Sequence, residues 1–274
     1  MKYLTFTEKS FYVEPTNACN FKCRMCFGEK PESKCLSLEN FKIIIEKLEC
    51  DLVKLWGRGE PFLNNEIYDM LDFCHERSIK TFITSNFSVV DFLRSSSLKK
   101  LDLLCVSLHG SNKEIHKSVT NSDSFEQVIE NIKRFKEIND CDVYCKSVIS
   151  SLNEKDIDKF KELCEDLKVK WIFTGIDFPE NILLDELVEL YPTTERANTI
   201  YNRYKPYSLE TKIKRENCIQ PNWPNVYCDG EVYTCCKRGQ HLGNIFSDEF
   251  ELDKEVIKNA KRRKLDNCKN CTIC

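Results

Sequence analysis

The sequence predicts an α/β protein in which a parallel sheet is followed by a short β-hairpin. Apolar runs of strand length alternate along the chain with amphipathic helical stripes, and this alternation favours right-handed βαβ units. Six such runs precede residue 178, and Asp229-Gly230 is a strong hairpin signal further on. The chain has 274 residues, 41% of them hydrophobic, which is enough for a sizeable core. The number of runs alone does not exclude a doubly wound sheet.

The predicted elements follow one another in short units. The six predicted strands cover residues 11–13, 52–56, 80–84, 101–108, 142–149 and 169–174. Apolar residues at i, i+3, i+4 and i+7 predict helices between several of these strands. The helical stripes run over residues 41–48, 67–74, 125–132 and 157–167. Ser37 and Asn153 are placed to cap the helices that follow them, and Ser124 with Gln127 resembles a capping box.

Charge and hydropathy exclude several classes of protein. A net charge of −3 and a pI near 6.0 give no electrostatic footprint for nucleic acid. The basic cluster at 261–264 is more typical of a solvated helix face than of a ligand site. No run approaches the roughly 18 apolar residues of a membrane helix, and residues 1–10 lack the apolar core of a signal peptide. We therefore expect a cytoplasmic protein with no nucleic-acid partner and no membrane partner.

The seventeen cysteines are the most informative residue type in the composition. Without an export signal they do not indicate a disulfide framework, because the cytosol keeps thiols reduced, so metal ligation is the better interpretation. Cys19, Cys23 and Cys26 form one cluster, and a second group lies between Cys218 and Cys274. Most of the others replace small apolar residues inside periodic segments, where core packing is their default role. These single cysteines are Cys50, Cys74, Cys105, Cys141, Cys145 and Cys164, with Cys35 in a polar loop.

The spacing C-x3-C-x2-C of Cys19, Cys23 and Cys26 predicts a four-iron four-sulfur (4Fe-4S) cluster with one open iron, because three thiolates leave one coordination position for a ligand. This stretch resembles the signature of radical S-adenosylmethionine (radical SAM) enzymes. The resemblance implies that the open iron binds SAM and that the six βα units form a partial (β/α)6 barrel similar to a TIM barrel. The alternatives are a zinc knuckle that lacks its fourth ligand and three unrelated buried cysteines.

A second element follows the second predicted strand. Gly57 and Gly59 let the backbone approach a ligand closely, and Glu60 can accept a hydrogen bond from an ammonium group. With Pro61, this turn resembles the family's G-G-E-P element, which contacts the amino group of SAM. Arg58 stands where that element often has its first glycine. On its own, such a turn would be weak evidence of a ligand site.

Polar residues at the ends of later strands are further candidates for SAM contacts, because parallel α/β folds place their chemistry at the C-terminal strand ends. Ser85 and Asn86 end the third predicted strand, and Ser107 lies near the end of the fourth. All three resemble family positions near SAM. Lys146 on the fifth strand is either directed into the barrel toward a carboxylate or directed outward to solvent. His109 either faces the substrate or is satisfied by backbone.

The C-terminal cysteines resemble the SPASM/twitch extension of radical SAM enzymes, which carries auxiliary iron-sulfur clusters. A single additional 4Fe-4S cluster, the twitch form, fits the end of the sequence at Cys274. The resemblance implies Cys218, Cys235, Cys268 and Cys271 as its ligands. The substitutes are Cys236 and Cys274, and a four-cysteine zinc site has the same ligand spacing.

The predicted organisation has three parts, which are a barrel at 1–178, a helical connector at 179–217 and an auxiliary cluster domain at 218–274. The Asp229-Gly230 turn predicts that Cys228 and Cys235 lie on adjacent strands. Cys228 is a candidate hydrogen donor to a substrate radical and Asp229 a candidate base, although a packed thiol and a turn residue are their default roles.

The resemblance implies an oxidoreductase or maturase that reductively cleaves SAM. The resulting 5′-deoxyadenosyl radical would abstract hydrogen from an unactivated C–H bond, with flavodoxin or ferredoxin as the electron donor. A peptide substrate, as for SPASM-type peptide maturases, is the first expectation. The alternatives are a twitch-type dehydrogenase that oxidises a small alcohol such as an aminocyclitol, and a non-catalytic iron-sulfur carrier or sensor.

Overall fold

The computed structural model describes residues 9–26, 32–176, 189–203, 224–234, 240–253 and 255–256. The strands are β1 Ser10–Val13, β2 Leu52–Leu55, β3 Lys80–Ser85, β4 Leu103–Ser107, β5 Asp142–Val148, β6 Lys170–Thr174, β7 Asn225–Val226, β8 Glu231–Tyr233 and β9 His241–Asn244. The α-helices are α1 Leu38–Leu48, α2 Ile67–Glu76, α3 Ser95–Leu98, α4 Lys113–Thr120, α5 Phe125–Ile138, α6 Ile157–Asp166 and α7 Glu195–Arg203. Short 3₁₀ helices cover Pro61–Leu63 and Phe92–Arg94.

The sheet order shows which α/β fold this is. In the described residues the strands run β6-β5-β4-β3-β2-β1-β7-β8-β9, and all neighbours from β1 to β6 are parallel. Each strand therefore lies beside the next one in the chain, whereas a doubly wound sheet reverses its order part-way. The predicted α/β fold with a parallel sheet is confirmed, and the open, singly wound sheet is that of a partial barrel.

The strand β1 lies in the interior of the sheet. It pairs in parallel with β2 on one side and with β7 on the other, where Tyr12 is in register with Asn225. The predicted hairpin is confirmed, because β7 and β8 are antiparallel and Gly230 adopts φ 86° in the turn between them. Cys228 lies in that turn and not on a strand, which corrects one detail of the prediction. The C-terminal hairpin thus extends the same sheet.

Alternate residues of each strand face two different environments, as the two-residue period requires. Val53 and Leu55 belong to the main hydrophobic core between the sheet and its helices. Lys54, between them, faces the opposite side of the sheet and is also fully buried. Its register neighbours there are Tyr12 and Phe82. We call this second side the inner face.

Two of the three capping predictions were wrong. Ser37 caps α1 as predicted, through a 3.1 Å hydrogen bond from the Asn40 amide, but Ser124 makes no cap at the start of α5. Asn153 does not cap α6. Its side-chain Nδ2 instead donates to the carbonyls of His109 and Val148, at 2.9 Å each.

Parts of the predicted organisation fall partly or wholly outside the described residues. Of the connector at 179–217, the described part contains α7. The three predicted domain boundaries stay predictions. None of the helices in the described ranges combines the length and the apolar character that a bilayer crossing requires.

Candidate active site

The cysteine loop leads from β1 toward α1 at the C-terminal edge of the sheet. Cys19 and Cys23 are half-buried, and Cys26 is exposed. The Arg24 amide donates to the carbonyl of Val119 at 2.9 Å, and the Cys26 amide donates to that of Cys23 at 3.0 Å. The cysteines of the core are different, because their side chains are enclosed by apolar neighbours. The cysteines of the main hydrophobic core are Cys50, Cys74, Cys145, Cys164 and Cys228, and Cys105 is also buried.

The loop offers the donor set of an iron-sulfur cluster. Its three cysteines follow one another after three and two intervening residues, as expected for the ligands of a cluster with one open iron. The cysteinates of a cluster bind different irons, so they are spread around a larger body. Accessible thiols on a short loop suit that arrangement.

The turn of Gly57, Gly59, Glu60 and Pro61 packs directly against the start of the cysteine loop. The Glu60 amide donates to the Ala18 carbonyl at 2.7 Å. A Cβ on Gly59 would lie 2.3 Å from the Thr16 carbonyl oxygen and 2.4 Å from that of Ala18. Only glycine permits this approach of one backbone to another. The turn and the loop are therefore one packed unit.

Glu60 is a buried carboxylate that is largely satisfied by neighbouring donors. Its Oε1 accepts from the Ser85 hydroxyl at 2.6 Å and from the Phe62 amide at 3.1 Å, and its Oε2 accepts from the Asn86 amide at 2.6 Å. Burial raises its pKa to about 7, against the opposing effect of these hydrogen bonds. Each carboxylate oxygen has two lone pairs, so these contacts leave one acceptor position on Oε2. That position suits an ammonium group.

The structure brings Ser85 and Asn86 next to Glu60, so three predicted site residues from two strand ends meet. It also adds Asn20, which sequence reasoning missed. Asn86 Nδ2 donates to Asn20 Oδ1 at 2.8 Å, and Asn20 Nδ2 donates to the Ser88 hydroxyl at 2.9 Å. The only sequence signal for Asn20 is its place between Cys19 and Cys23. The end of β3 is thus tied to the cysteine loop.

Ser107 and Lys146 lie further along the sheet edge. They are register partners at the ends of β4 and β5, and both are half-buried. Nearby, His109 has φ 64° and its Nδ1 accepts from the Val148 amide at 3.2 Å. Burial is the main cause that lowers the pKa of His109 to about 3. Its imidazole is therefore neutral and satisfied by backbone.

The two catalytic candidates from the hairpin have different surroundings. Cys228 is buried, and burial, together with the charge of Glu14 and a hydrogen bond to it, raises the pKa of its thiol to about 12. Asp229 is exposed, and its carboxylate lies 3.4 Å from the Glu231 amide, which donates to it across the turn.

The predicted auxiliary ligands lie outside the described residues. They are Cys218, Cys235, Cys268 and Cys271, with the substitutes Cys236 and Cys274.

Comparison with protein families decides what this loop and turn belong to. The model of the Radical SAM superfamily matches residues 13–187, a span that begins at the last residue of β1 and contains the cysteine loop, the turn and the parallel strands β2 to β6. The chain belongs to the radical SAM superfamily. Membership implies a 4Fe-4S cluster and SAM as its cosubstrate, and the residues of the loop and turn fit both. The finer likeness to a SPASM or twitch extension stays a prediction.

Relatives of this radical SAM chain correct the expected substrate. A protein of Saccharolobus islandicus named probable GTP 3′,8-cyclase is 29% identical over 84% of this chain and 83% of its own length. A protein of Methanocaldococcus jannaschii with the same name is 25% identical over 78% of this chain and 70% of its own length. These names describe cyclisation of a nucleotide. The expectation of a peptide maturase with a peptide partner is therefore wrong.

A solved structure shows the same fold. Streptococcus suis SuiB bound to the precursor peptide SuiA superposes with a TM-score of 0.68, over 97% of this chain and 70% of that protein, at 16% identity. At that identity the likeness extends to the fold alone. The peptide bound to SuiB therefore does not restore the peptide expectation for this chain.

Proposed function

We propose that this radical SAM enzyme acts on a small nucleotide, with GTP as the first candidate, in a cyclisation of the GTP 3′,8-cyclase kind. The observation that carries the proposal is the likeness to the two named relatives, which extends over most of both chains. Nothing in the described residues favours the alternative of an alcohol dehydrogenase or an electron carrier.

The inner face of the sheet supports a nucleotide substrate. Trp56, Phe82 and Tyr144 are half-buried there, and the Trp56 ring lies 4.9 Å from that of Phe82. Aromatic rings provide stacking surfaces for a purine base. A face with several aromatic rings therefore suits the purine base of a nucleotide substrate.

SAM belongs at the C-terminal edge in this proposal. Cys19, Cys23 and Cys26 would hold the 4Fe-4S cluster, and Glu60 would accept the SAM ammonium at its remaining Oε2 position. The cluster and SAM supply a 5′-deoxyadenosyl radical when both are bound. Gly57, Gly59 and Pro61 shape the turn.

Further SAM contacts lie along the strand ends. In the proposal, Ser85 and Asn86 orient Glu60, while Ser107 and Lys146 contact the rest of SAM.

The finer assignments extend this proposal. A single auxiliary 4Fe-4S cluster is held by Cys218, Cys235, Cys268 and Cys271. Cys228 and Asp229 stay candidates for hydrogen donation and for base catalysis. The cytoplasmic location expected from the sequence stays a prediction.

The test is a single-substrate assay with protein reconstituted anaerobically. Loss of hydrogen from C3′, bond formation to C8, and return of one electron and one proton leave the composition of GTP unchanged. We expect 5′-deoxyadenosine to form with a product isomeric with GTP, and [3′-²H]GTP to transfer deuterium to 5′-deoxyadenosine. The Cys19→Ala/Cys23→Ala/Cys26→Ala variant is the control for SAM cleavage.

Two outcomes would overturn the proposed substrate. A product two mass units lighter than its substrate, without cyclisation, would indicate dehydrogenation. Reductive SAM cleavage that GTP, GDP and ATP all fail to stimulate or to label would exclude a purine nucleotide, while radical SAM chemistry would still stand.

A further inference from the structure

We propose that Arg58 and Glu14 form a positioning pair that ties the SAM-binding turn to the C-terminal hairpin. Arg58 is the residue by which this chain departs from the family's glycine. Its side chain reaches back from the turn to Glu14, which directly follows β1, and forward to Tyr227 at the start of the hairpin turn. The pair thus joins three segments that are distant in sequence.

Glu14 is the centre of this arrangement. It is 2% exposed, and its two oxygens receive three hydrogen bonds from Arg58. Arg58 Nη2 donates to Oε1 at 2.7 Å, while Nε at 3.0 Å and the backbone amide at 2.8 Å donate to Oε2. Cys228 also lies near this carboxylate, whose charge contributes to the raised pKa of its thiol. A bidentate contact that includes the backbone fixes the turn itself and not only a side chain.

The other end of the link is the hairpin. The Arg58 guanidinium lies 4.7 Å from the ring centroid of Tyr227. The Glu14 amide donates to the Val226 carbonyl at 2.8 Å, so β1 and β7 are held together beside the pair. Tyr227 also contacts the ring of Tyr233 on β8, at 5.5 Å. The position of Arg58 therefore depends on a docked hairpin.

The glycine before Arg58 is part of the same arrangement. A Cβ on Gly57 would lie 2.4 Å from both Cγ and Oε2 of Glu14, so this glycine gives the Glu14 side chain its place under the turn. Glu60 follows Arg58 by two residues, and it is the residue assigned to the SAM ammonium. A shift of Arg58 would move the Glu60 acceptor relative to the cysteine loop. Arg58 and Glu14 are positioning residues, since neither is assigned a contact with SAM.

The inference rests on the SAM-binding role proposed for the turn and not on the identity of the substrate. The first measurement uses protein without cluster or SAM. Hydrogen exchange of residues 57–61 should be about tenfold faster in Arg58→Gln than in the wild type. Arg58→Lys keeps the positive charge but loses the bidentate guanidinium contact with Glu14. It should therefore recover only part of the protection from hydrogen exchange.

The second measurement is the Kd for SAM of the reconstituted protein. We expect Arg58→Gln to raise it about tenfold with unchanged iron content. Tyr227→Leu leaves the Glu14 contact in place but removes the ring from the hairpin, and we expect it to raise the Kd about threefold. Arg94→Gln is the matched control, because Arg94 pairs with Asp69 and lies 5.2 Å from the Tyr68 ring on the helix side of the sheet. That control should bind SAM as the wild type does.

Results that differ from these expectations contradict the inference in the following ways. Faster exchange in Arg58→Gln with an unchanged Kd would make the pair a structural contact only. If Arg58→Gln loses iron through misfolding, Tyr227→Leu decides, and a wild-type Kd there ends the proposal. If Glu60→Gln also leaves the Kd unchanged, the SAM-binding role of the turn fails with it. If Glu60→Gln raises the Kd while Arg58→Gln and Tyr227→Leu do not, only the positioning role fails.

Discussion

Glu60 combines two properties that rarely occur together in one carboxyl group. It is buried, with a pKa raised to about 7, yet it receives three hydrogen bonds that favour its charged form. Desolvation therefore outweighs hydrogen bonding in the absence of a cation. An ammonium group at the remaining Oε2 position would reverse that balance. We therefore expect the Glu60 carboxylate to become fully charged when an ammonium group occupies that position.

The first prediction follows from that balance. Glu60→Gln should weaken SAM binding by about 10- to 100-fold, because a hydrogen bond to a charged group contributes roughly 1.5–3 kcal/mol. Iron content should not change. Isothermal titration of the reconstituted protein measures the effect, and Glu66→Gln is the control, since Glu66 accepts from the Leu38 amide away from the cysteine loop.

The pH dependence of SAM binding is a separate prediction. A pKa raised above its usual value means that Glu60 is protonated, and so uncharged, below about pH 7. SAM affinity of the wild type should therefore fall between pH 8 and pH 6. The affinity of Glu60→Gln should be flat over that window. A wild-type affinity that stays constant would show that the carboxylate does not contact the ammonium.

Lys54 gives a prediction about stability. It is fully buried on the inner face beside the Tyr12 ring, and burial lowers its pKa to about 7. The folded state then binds fewer protons than the unfolded state between about pH 7 and 10.5, so this residue adds stability as the pH rises through that range. Lys54→Met should raise the free energy of unfolding at pH 6 by roughly 1–3 kcal/mol.

Chemical denaturation at pH 6 and pH 9 measures that gain, which should shrink at the higher pH. The control is Lys170→Met, because Lys170 is exposed and pairs with Asp142 at 2.5 Å. A Lys54→Met variant that is less stable at pH 6 would mean that the ammonium is well accommodated in the folded state.

At the scale of elements, the turn after β2 and the cysteine loop behave as one unit, and this can be tested through iron. Gly59→Ala should reduce the iron bound by the first cluster, because the new Cβ meets backbone oxygens of Thr16 and Ala18 just before Cys19. Gly243→Ala is the control. This substitution strains the backbone at φ 110° in β9, but the new Cβ would lie 3.5 Å from the Phe250 ring, which is an ordinary van der Waals distance. Equal iron loss in both variants would indicate general destabilisation.

The elements also show what sequence patterns capture. The strands β1, β2 and β4 are predictable within a few residues because both of their faces are buried, which produces apolar runs. The strands β3 and β5 are predictable because buried and half-buried residues alternate along them. The helix α4 went unpredicted because only His116, Val119 and Thr120 of its residues are buried, too few to form a stripe. Asn153 has the residue type of a helix cap, but its donors find carbonyls at the ends of β4 and β5. Tertiary contacts decided between those roles.

At the scale of the whole molecule, some residues of the candidate site can be predicted from the sequence and others cannot. The cysteines and the Glu60 turn are visible in the sequence because cluster chemistry demands fixed spacings and residue types. The contacts of Asn20 with Asn86 and of Glu14 with Arg58 and Cys228 are not, because no periodicity links residues that meet only after the sheet has formed. The substrate was the larger error, since the fold accommodates both peptides and nucleotides.

The whole molecule also sets the expected metal content. Anaerobically reconstituted protein should contain about eight iron and eight sulfide per chain, from two 4Fe-4S clusters. Replacing Cys19, Cys23 and Cys26 together by Ala should remove about half of both. Four iron with one zinc would overturn the assignment of Cys218, Cys235, Cys268 and Cys271 to a second cluster.

The interior position of β1 has a consequence for biogenesis. One neighbour, β2, follows it within the first 55 residues, but the other, β7, is made roughly 170 residues later, which is about 10–30 s of translation. Throughout that interval one edge of β1 stays open beside the cysteine loop. We therefore expect alkylation of Cys19 to be faster in a chain ending at residue 203 than in the full chain.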